Sequence, residues 1–353
     1  MKKHNFSAGP SILPQVVFEK SAQAVLNFEN TGLSILEISH RSSQFLEVIE
    51  KARTLALELA GLDDSYEALY LQGGASTQFL AIPYNLLEKK GAYIDTGTWA
   101  DKAIKEAKLF GQVDVIASSK ENGYKHIPKA LPLHNDADYL HITTNNTIYG
   151  TEYHFIPQTD VPLIADMSSD IFSKEMDYSK FSLIYAGSQK NLGASGSTLV
   201  IIKKDILGKV SRKIPSILDY QIQIKNESMF NTPSTFAVYI NMLVLEWIKE
   251  KGGIKQIEKL NRAKAELLYN EIDRNPLVIG YAEKEDRSLM NVVFNLKDES
   301  TEKLFDSLWK AADISGLKGH RSVGGYRASI YNAMPIESVQ VLVDVLKELE
   351  RRA

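Results

Sequence analysis

The sequence predicts an α/β protein with a mostly parallel sheet flanked by helices and a smaller α+β unit after it. Three observations predict this. Short apolar runs bounded by turn residues recur along the chain, as buried strands do. Stretches with helical spacing of apolar residues alternate with them, which is the signature of βαβ organisation. After Gly252-Gly253 the pattern changes to longer helices with few strands between them.

In chain order, Pro14 to Phe28 places Val17, Ala24, Val25 and Phe28 at helical spacing, and its Pro-Gln start suits a first turn. Gln44 to Ala60 is a second amphipathic helix, with Phe45, Val48, Ile49, Ala52, Leu55, Ala56 and Leu59 on one side. Ala68 to Leu71 is a strand, followed by the loop Gln72-Gly-Gly-Ala-Ser-Thr77 and a helix from about Gln78. Gly91 to Asp95, Val113 to Ala117, Tyr139 to Thr143, Val161 to Asp166, Phe181 to Gly187 and Gly196 to Ile202 continue the strands. Pro233 to Lys251 is a long helix stopped by the glycine pair. Ile254 to Arg274, Thr301 to Ala312 and a segment from Pro335 are helices, with strands near Met290 to Phe294 and Tyr326 to Ile330.

Composition narrows the function. The chain has 353 residues, enough for two domains, with 44% hydrophobic and 24% charged residues, as in globular proteins. A formal charge of −3 gives no reason to expect nucleic-acid binding. The absence of cysteine excludes disulfides, thiolate metal sites and cysteine nucleophiles. Met1 to Pro10 lacks the apolar core of a signal peptide, and no stretch is long enough to span a bilayer, so a cytoplasmic location is expected. The seven histidines lack ligand spacing, so no metal is expected. Gly193-Ala-Ser-Gly196 does not form a Gly-x-Ser-x-Gly elbow, which argues against a serine hydrolase.

Two strand ends carry chemistry. Asp166 closes one strand, and Lys190 follows the next within Ser188-Gln-Lys-Asn191. Parallel sheets bind ligands at the carboxyl ends of their strands. A carboxylate and an amine at that edge suit pyridoxal phosphate: the amine forms a Schiff base with its aldehyde and the carboxylate holds the ring nitrogen protonated. Taken alone the pair is weak, because most lysines are solvated and most strand-end aspartates cap turns.

Other segments have a functional and an ordinary reading side by side. Gly73 to Thr77 suits a phosphate at a helix start, or a plain turn. Trp99 can stack on a flat ring or simply pack. Thr147 can donate to a ligand, or belong to a turn. Asn231 and Thr232 can face an anion, or cap the helix after them. Two basic clusters, His40-Arg41 and Lys318-Gly-His-Arg321 with Arg327, offer Arg forks for a dianion or trianion, or form salt-bridged surface. Glycines 319, 324 and 325 favour a shaped loop for the second cluster.

Together these segments resemble the phosphoserine aminotransferases, fold-type I, class V enzymes dependent on pyridoxal phosphate. The resemblance runs essentially end to end. It is carried by Asn5-Phe-Ser-Ala-Gly-Pro10, Glu37-Ile-Ser-His-Arg41, Ala165-Asp-Met-Ser-Ser169, Tyr185-Ala-Gly-Ser-Gln-Lys-Asn191, Pro215 to Tyr220, Ser228-Met-Phe-Asn-Thr-Pro233 and Lys318 to Pro335. It implies a large cofactor-binding domain at 16–252 and a small domain made of 1–15 and 253–353. Lys190 would carry the cofactor, Asp166 would pair with the ring nitrogen, Trp99 would stack on the ring and Thr147 would contact its 3-oxygen side. Ala75, Ser76 and Gln189 would hold the phosphate, with Asn231 and Thr232 reaching it from the other subunit of a homodimer. Arg327 would clamp the substrate α-carboxylate, and His40, Arg41, His320 and Arg321 would receive the distal phosphate or the glutamate side chain.

Three places depart from the enterobacterial members: Ala8 for a second Ser, Ala75-Ser76 for Gly-Arg, and Thr143-Thr144 for Cys-Pro. The implied reaction moves the amino group of L-glutamate to 3-phosphohydroxypyruvate, and a phosphorylated hydroxythreonine in pyridoxine synthesis is a further family substrate. The rival readings are a class V aminotransferase for unphosphorylated acids and a non-catalytic protein that retains the pocket. A cysteine desulfurase is excluded by the missing cysteine.

Overall fold

The computed structural model describes residues 3–132 and 134–353, so Met1 and Lys2 of the opening segment lie outside it. A seven-stranded sheet forms the centre. Its strands are β1 (Tyr66–Leu71), β2 (Lys90–Asp95), β3 (Gln112–Ser118), β4 (Tyr139–Thr143), β5 (Leu163–Asp166), β6 (Leu183–Gly187) and β7 (Thr198–Lys203). They lie in the order β1-β7-β6-β5-β4-β2-β3. All run parallel except β7, which is antiparallel to both β1 and β6.

The inner strands read as nearly unbroken apolar runs because both sheet faces are covered there, whereas the edge strand β3 is part-exposed along its length. Successive residues alternate between two cores. Ala68, Ile94, Ile142, Ala165, Ile184 and Ile201 pack with helices α1 (Gln15–Leu26), α2 (Ser43–Ala60) and the 235–250 helix. Leu69, Tyr93, Tyr139, Ile164, Tyr185 and Val200 pack beneath helices α3 (Gly74–Leu86) and α4 (Thr98–Ala107). Helix α2 shows why the local sequence suffices: the Ser42 hydroxyl caps the Phe45 amide, and Gly61 at φ +64 ends it while the Leu62 amide reaches back to the Leu57 carbonyl at 3.0 Å. Leu59, expected on the core side, is only half-buried.

Beyond α5 (Tyr220–Lys225) and α6 (Thr235–Glu250), the glycine pair separates α6 from α7 (Gly253–Arg274), with Gly252 at φ +98. A three-stranded antiparallel sheet follows, β8 (Val278–Gly280), β9 (Asn291–Leu296) and β10 (Tyr326–Ser329). Helices α7, α8 (Glu302–Ala311) and α9 (Ile336–Arg352) share a core with it that also takes in Phe6 and Ile12 from the N-terminal segment. The strand β8 and the two-residue pairings His4–Asn5 with Ile314–Ser315 and Asn145–Asn146 with Thr151–Glu152 were not foreseen, being too short to show a period. Among the described residues no helix is long and apolar enough to cross a membrane.

Candidate active site

The carboxyl ends of β1, β2, β4, β5 and β6 meet at one sheet edge, where a cavity of about 450 Å3 opens. Its lining includes Ala8, Gly9, Gly73 to Ser76, Trp99, Thr147, Asp166, Ser168, Gln189, Lys190, His320 and Arg327. A wider groove of about 870 Å3 around Lys251, Lys255 and Arg262 lies on helix surfaces and contains none of these groups.

Asp166 ends β5 and is in register with Tyr185 on β6. Its carboxylate accepts hydrogen bonds from the Ser168 amide at 3.0 Å and the Ser168 hydroxyl at 2.6 Å, and interacts with the Tyr185 hydroxyl. An unpaired buried carboxylate costs several kcal/mol. Burial raises its pKa here, while Lys190 and the Ser168 donors pull it back. A cationic ring nitrogen set against it would lower it further. Behind it, the Tyr185 hydroxyl meets His141 Nε2 at 2.9 Å, and burial holds His141 neutral with its pKa pulled down to about 3.

Lys190 follows β6 and lines the cavity. Burial lowers its pKa, Asp166 opposes this, and the Arg327 charge adds to the lowering. Its Nζ lies 5.4 Å from the centre of the Trp99 ring. Trp99 is fixed by its Nε1, which donates to the Thr147 hydroxyl at 3.0 Å. A hydroxyl that accepts one bond can still donate one to a ligand.

At the other end, helix α3 begins at Gly74, four residues before the expected Gln78. Ala75 and Ser76 are therefore in its first turn, where N–H groups have no partner within the helix. No side chain caps this helix, and a Cβ on Gly73 (φ +91) would overlap the Thr77 side chain. Gly74 has open space on its Cβ side, and an uncapped helix start of this kind offers free N–H groups that suit a phosphate.

Arg327, on β10, donates from Nη1 to the Thr147 carbonyl at 3.3 Å. Its Nε is buried without a hydrogen-bond partner among the described residues, and burial lowers its pKa. Buried donors are normally satisfied, so an unpaired guanidinium nitrogen marks a place for an anion. His320 Nδ1 lies 2.7 Å from the Ser322 hydroxyl. Burial lowers the His320 pKa, and Arg327, Arg321 and Lys102 lower it further.

Other expected residues are not brought to this cavity within the chain. Arg321 is exposed and does not line it, nor do His40 and Arg41 before helix α2. Asn231 lines a neighbouring space of about 290 Å3 with Gln72 and Gly73, and the Thr232 carbonyl accepts from the Gln72 side chain. Neither caps helix α6, whose flanking residue is Ser234. The departure at Thr143-Thr144 is structural: Thr144 Oγ1 lies 3.0 Å from the Asp166 carbonyl and 2.6 Å from Asp170, with one proton for the two contacts. Carboxylate oxygens of Glu283, Glu285 and Asp286 come within 4.8 Å of one another, which histidine spacing did not foretell, and Lys129 pairs with Glu285 there at 2.8 Å.

Sequence reading missed Ser168 and Lys102. The Asp-x-Ser spacing of Asp166 and Ser168 is an Asx-type turn signal. Lys102 is three residues from Trp99 on one helix, hence on the same side, and its Nζ lies 4.6 Å from the Trp99 ring centre.

Comparison with known proteins gives the family. The aminotransferase class-V family model matches residues 3–342, and the chain belongs to that family. A phosphoserine aminotransferase of Flavobacterium johnsoniae is 64% identical over the whole of both chains. A solved phosphoserine aminotransferase, used to study radiation damage of its Schiff base, superposes with a TM-score of 0.97 at 48% identity over the whole of both chains. The pyridoxal-phosphate-bound enzyme of Trichomonas vaginalis gives 0.93 at 37%, covering 98% of this chain and 100% of that one. Within class V the chain is thus a member of the phosphoserine aminotransferase family, and its cofactor is pyridoxal phosphate. The residues present fit that group: an amine beside a buried carboxylate, a flat indole, an uncapped helix start and an unsatisfied Arg.

Proposed function

We propose that this chain transfers the amino group of L-glutamate to 3-phosphohydroxypyruvate, giving O-phospho-L-serine and 2-oxoglutarate, as a step of serine biosynthesis. The observation that carries this is the convergence of Lys190, Asp166 and the unsatisfied Arg327 on one cavity.

Bound pyridoxal phosphate supplies an electron sink for negative charge developing at the substrate α-carbon. Asp166, whose ionised form the Ser168 donors favour against the burial that raises its pKa, would favour a proton on the ring nitrogen. Trp99 and the first turn of α3, with Ala75, Ser76 and Gln189, hold ring and phosphate, and Thr147 offers its hydroxyl to the ring oxygen. Arg327 binds the α-carboxylate and so aims the α-proton at Lys190. Lys190 would hold the cofactor until the incoming substrate amine takes its place, and its freed Nζ would then be the base that takes the α-proton; its lowered pKa favours the free amine this needs. Donor and acceptor pass through the same cavity in turn, so initial-rate plots should be parallel, as in ping-pong kinetics.

His320 and Arg321, with His40 and Arg41, receive the distal phosphate. The chain acts as a homodimer in which Asn231 and Thr232 complete the partner's phosphate site and the exposed basic residues complete its substrate site. Their separation from the cavity of their own chain supports this. The large domain is 16–252, the small domain is 1–15 with 253–353, and the protein works in the cytoplasm without nucleic acid. Action on the phosphorylated hydroxythreonine of pyridoxine synthesis belongs to the same reading.

A coupled glutamate assay with phosphoserine and serine side by side tests it. Strong preference for phosphoserine is expected. Equal or better turnover of serine would instead favour an aminotransferase for unphosphorylated acids. Mixing a Lys190→Ala chain with an Asn231→Ala/Thr232→Ala chain should restore partial activity in the heterodimer; none in a verified heterodimer contradicts shared sites.

A further inference from the structure

The turn bearing Lys190 is gripped from outside the large sheet. The Ser11 amide donates to the Gln189 carbonyl at 3.0 Å, the Ser11 hydroxyl donates to the Lys190 carbonyl at 2.5 Å, and the Asn332 amide donates to Asn191 Oδ1 at 3.1 Å. Three consecutive residues each accept one bond from segments packed with the C-terminal part of the molecule. The N-terminal arm belongs physically to that part. Phe6 and Ile12 lie in its core, and His4–Asn5 pair with Ile314–Ser315. The Ser329 amide donates to the Phe6 carbonyl at 3.2 Å, and the Tyr331 hydroxyl donates to the Ala8 carbonyl at 2.7 Å. Between these anchors the arm lies against the turn: a Cβ on Gly9 (φ +148) would be in van der Waals contact with the Gln189 and Lys190 side chains at 3.4 Å.

We propose that Ser11 is a positioning residue for Lys190, its hydroxyl fixing the peptide from which the reactive amine projects. This rests on the assignment of Lys190 as the reacting lysine. The arm is tied to β10 through Ser329, two residues from Arg327. The same body therefore holds the group that binds the substrate carboxylate and the peptide that carries the base, keeping amine and α-proton in register. Small misplacements of a reacting group cost rate rather than binding. Asn332 contributes its bond to Asn191 through the backbone, so side-chain substitution leaves that donor in place. The Ser11 hydroxyl is, among the described residues, the side-chain donor on the Lys190 carbonyl.

The test compares wild type, Ser11→Ala and Ser11→Thr as cofactor-loaded dimers. Steady-state kinetics, thermal melting and hydrogen exchange of the 188–193 turn are read together. Ser11→Ala should lower kcat about 3- to 10-fold, the weight of one hydrogen bond, with KM values changed less than about twofold. Exchange in the turn should speed up, and Ser11→Thr should restore both. Unchanged exchange in the turn, or kcat, KM and melting temperature falling together without recovery in Ser11→Thr, would overturn the proposal. Borohydride reduction and peptide mapping of the wild type separately report whether Lys190 carries the cofactor, whereas turn exchange reports the grip in either case.

Discussion

The two ends of the cavity are built by different means. At the ring end, Asp166 and Ser168 are buried and bonded to each other, with Tyr185 and His141 behind them. Of the groups proposed to hold anions, Gly73 and Ser76 are exposed, Arg327 keeps an unpaired Nε, and Arg321, His40 and Arg41 stand outside the cavity. The contrast follows from the work each end does. Moving a proton next to a charged ring needs a low-dielectric surrounding with every dipole already in place. Holding an anion needs donors that stay solvated until it arrives, and a helix start or an Arg fork supplies these from almost any neighbouring segment.

The sharpest break in this comparison is Lys190→Ala. Loss of the proton-moving group should lower kcat by about 10²–10⁴-fold, and borohydride should no longer fix a pyridoxyl label at that position. Survival of turnover would move the chemistry away from the ring end altogether. Asp166→Asn keeps the shape but removes the charge. We expect kcat to fall by about 10²–10³-fold while dialysis still leaves cofactor bound, because the phosphate cradle of α3 is untouched. Cofactor loss in step with activity would show that the ends are not separable.

Next in size are the anion-end substitutions. A charge-assisted hydrogen bond contributes roughly 1.5–3 kcal/mol, or about 10- to 150-fold in kcat/KM. Arg327→Ala should cost that factor for phosphoserine and serine alike. Arg321→Ala should cost it for phosphoserine with little effect on serine. If the phosphoserine-to-serine ratio survives in Arg321→Ala, phosphate selectivity lies at His40 and Arg41.

The smallest effect concerns Asp170, which sits beneath the ring end and accepts from Thr144 at 2.6 Å. Burial raises its pKa to about 7, with Lys174 opposing. The folded state therefore holds a proton there that the unfolded chain, titrating near 3.8, has released. Stability from this group falls as pH rises from about 3.8 to about 7 and is constant above that. Asp170→Asn should melt higher than wild type at pH 8, by on the order of a few degrees, and the two should converge near pH 4. A melting difference independent of pH would mean that Asp170 is ionised throughout.

Reading the sequence locates the expected strands to within two residues at each end, because runs such as Leu183–Gly187 declare themselves by apolar content and the turns after them. It placed the start of α3 four residues late, since glycines 73 and 74 look like loop while their positive φ in fact leads straight into the helix. It offered Asn231 and Thr232 as caps, but the helix begins beyond Pro233, out of their reach. Ser168 stands in the Ala165–Ser169 segment with no role legible in the sequence, because its bond to Asp166 depends on how the chain bends after β5.

What the sequence determines by itself is local and chemical. Apolar periodicity within windows of a few residues sets the α/β class, and strand-end position sets which side chains reach the functional edge. Residue type and strand-end position nominate Lys190 as the amine and Asp166 as the carboxylate of the proposed site. What only the tertiary structure decides is adjacency between distant segments. The strand order β1-β7-β6-β5-β4-β2-β3 is not the order of the chain, so packing alone sets Leu71 beside Thr198. The same holds for Ser11 and Asn332 on the Lys190 turn, and for Arg327 entering the cavity while Arg321 stays outside. Such contacts join residues separated by more than a hundred positions, and their geometry comes from how two cores dock, which no local pattern encodes.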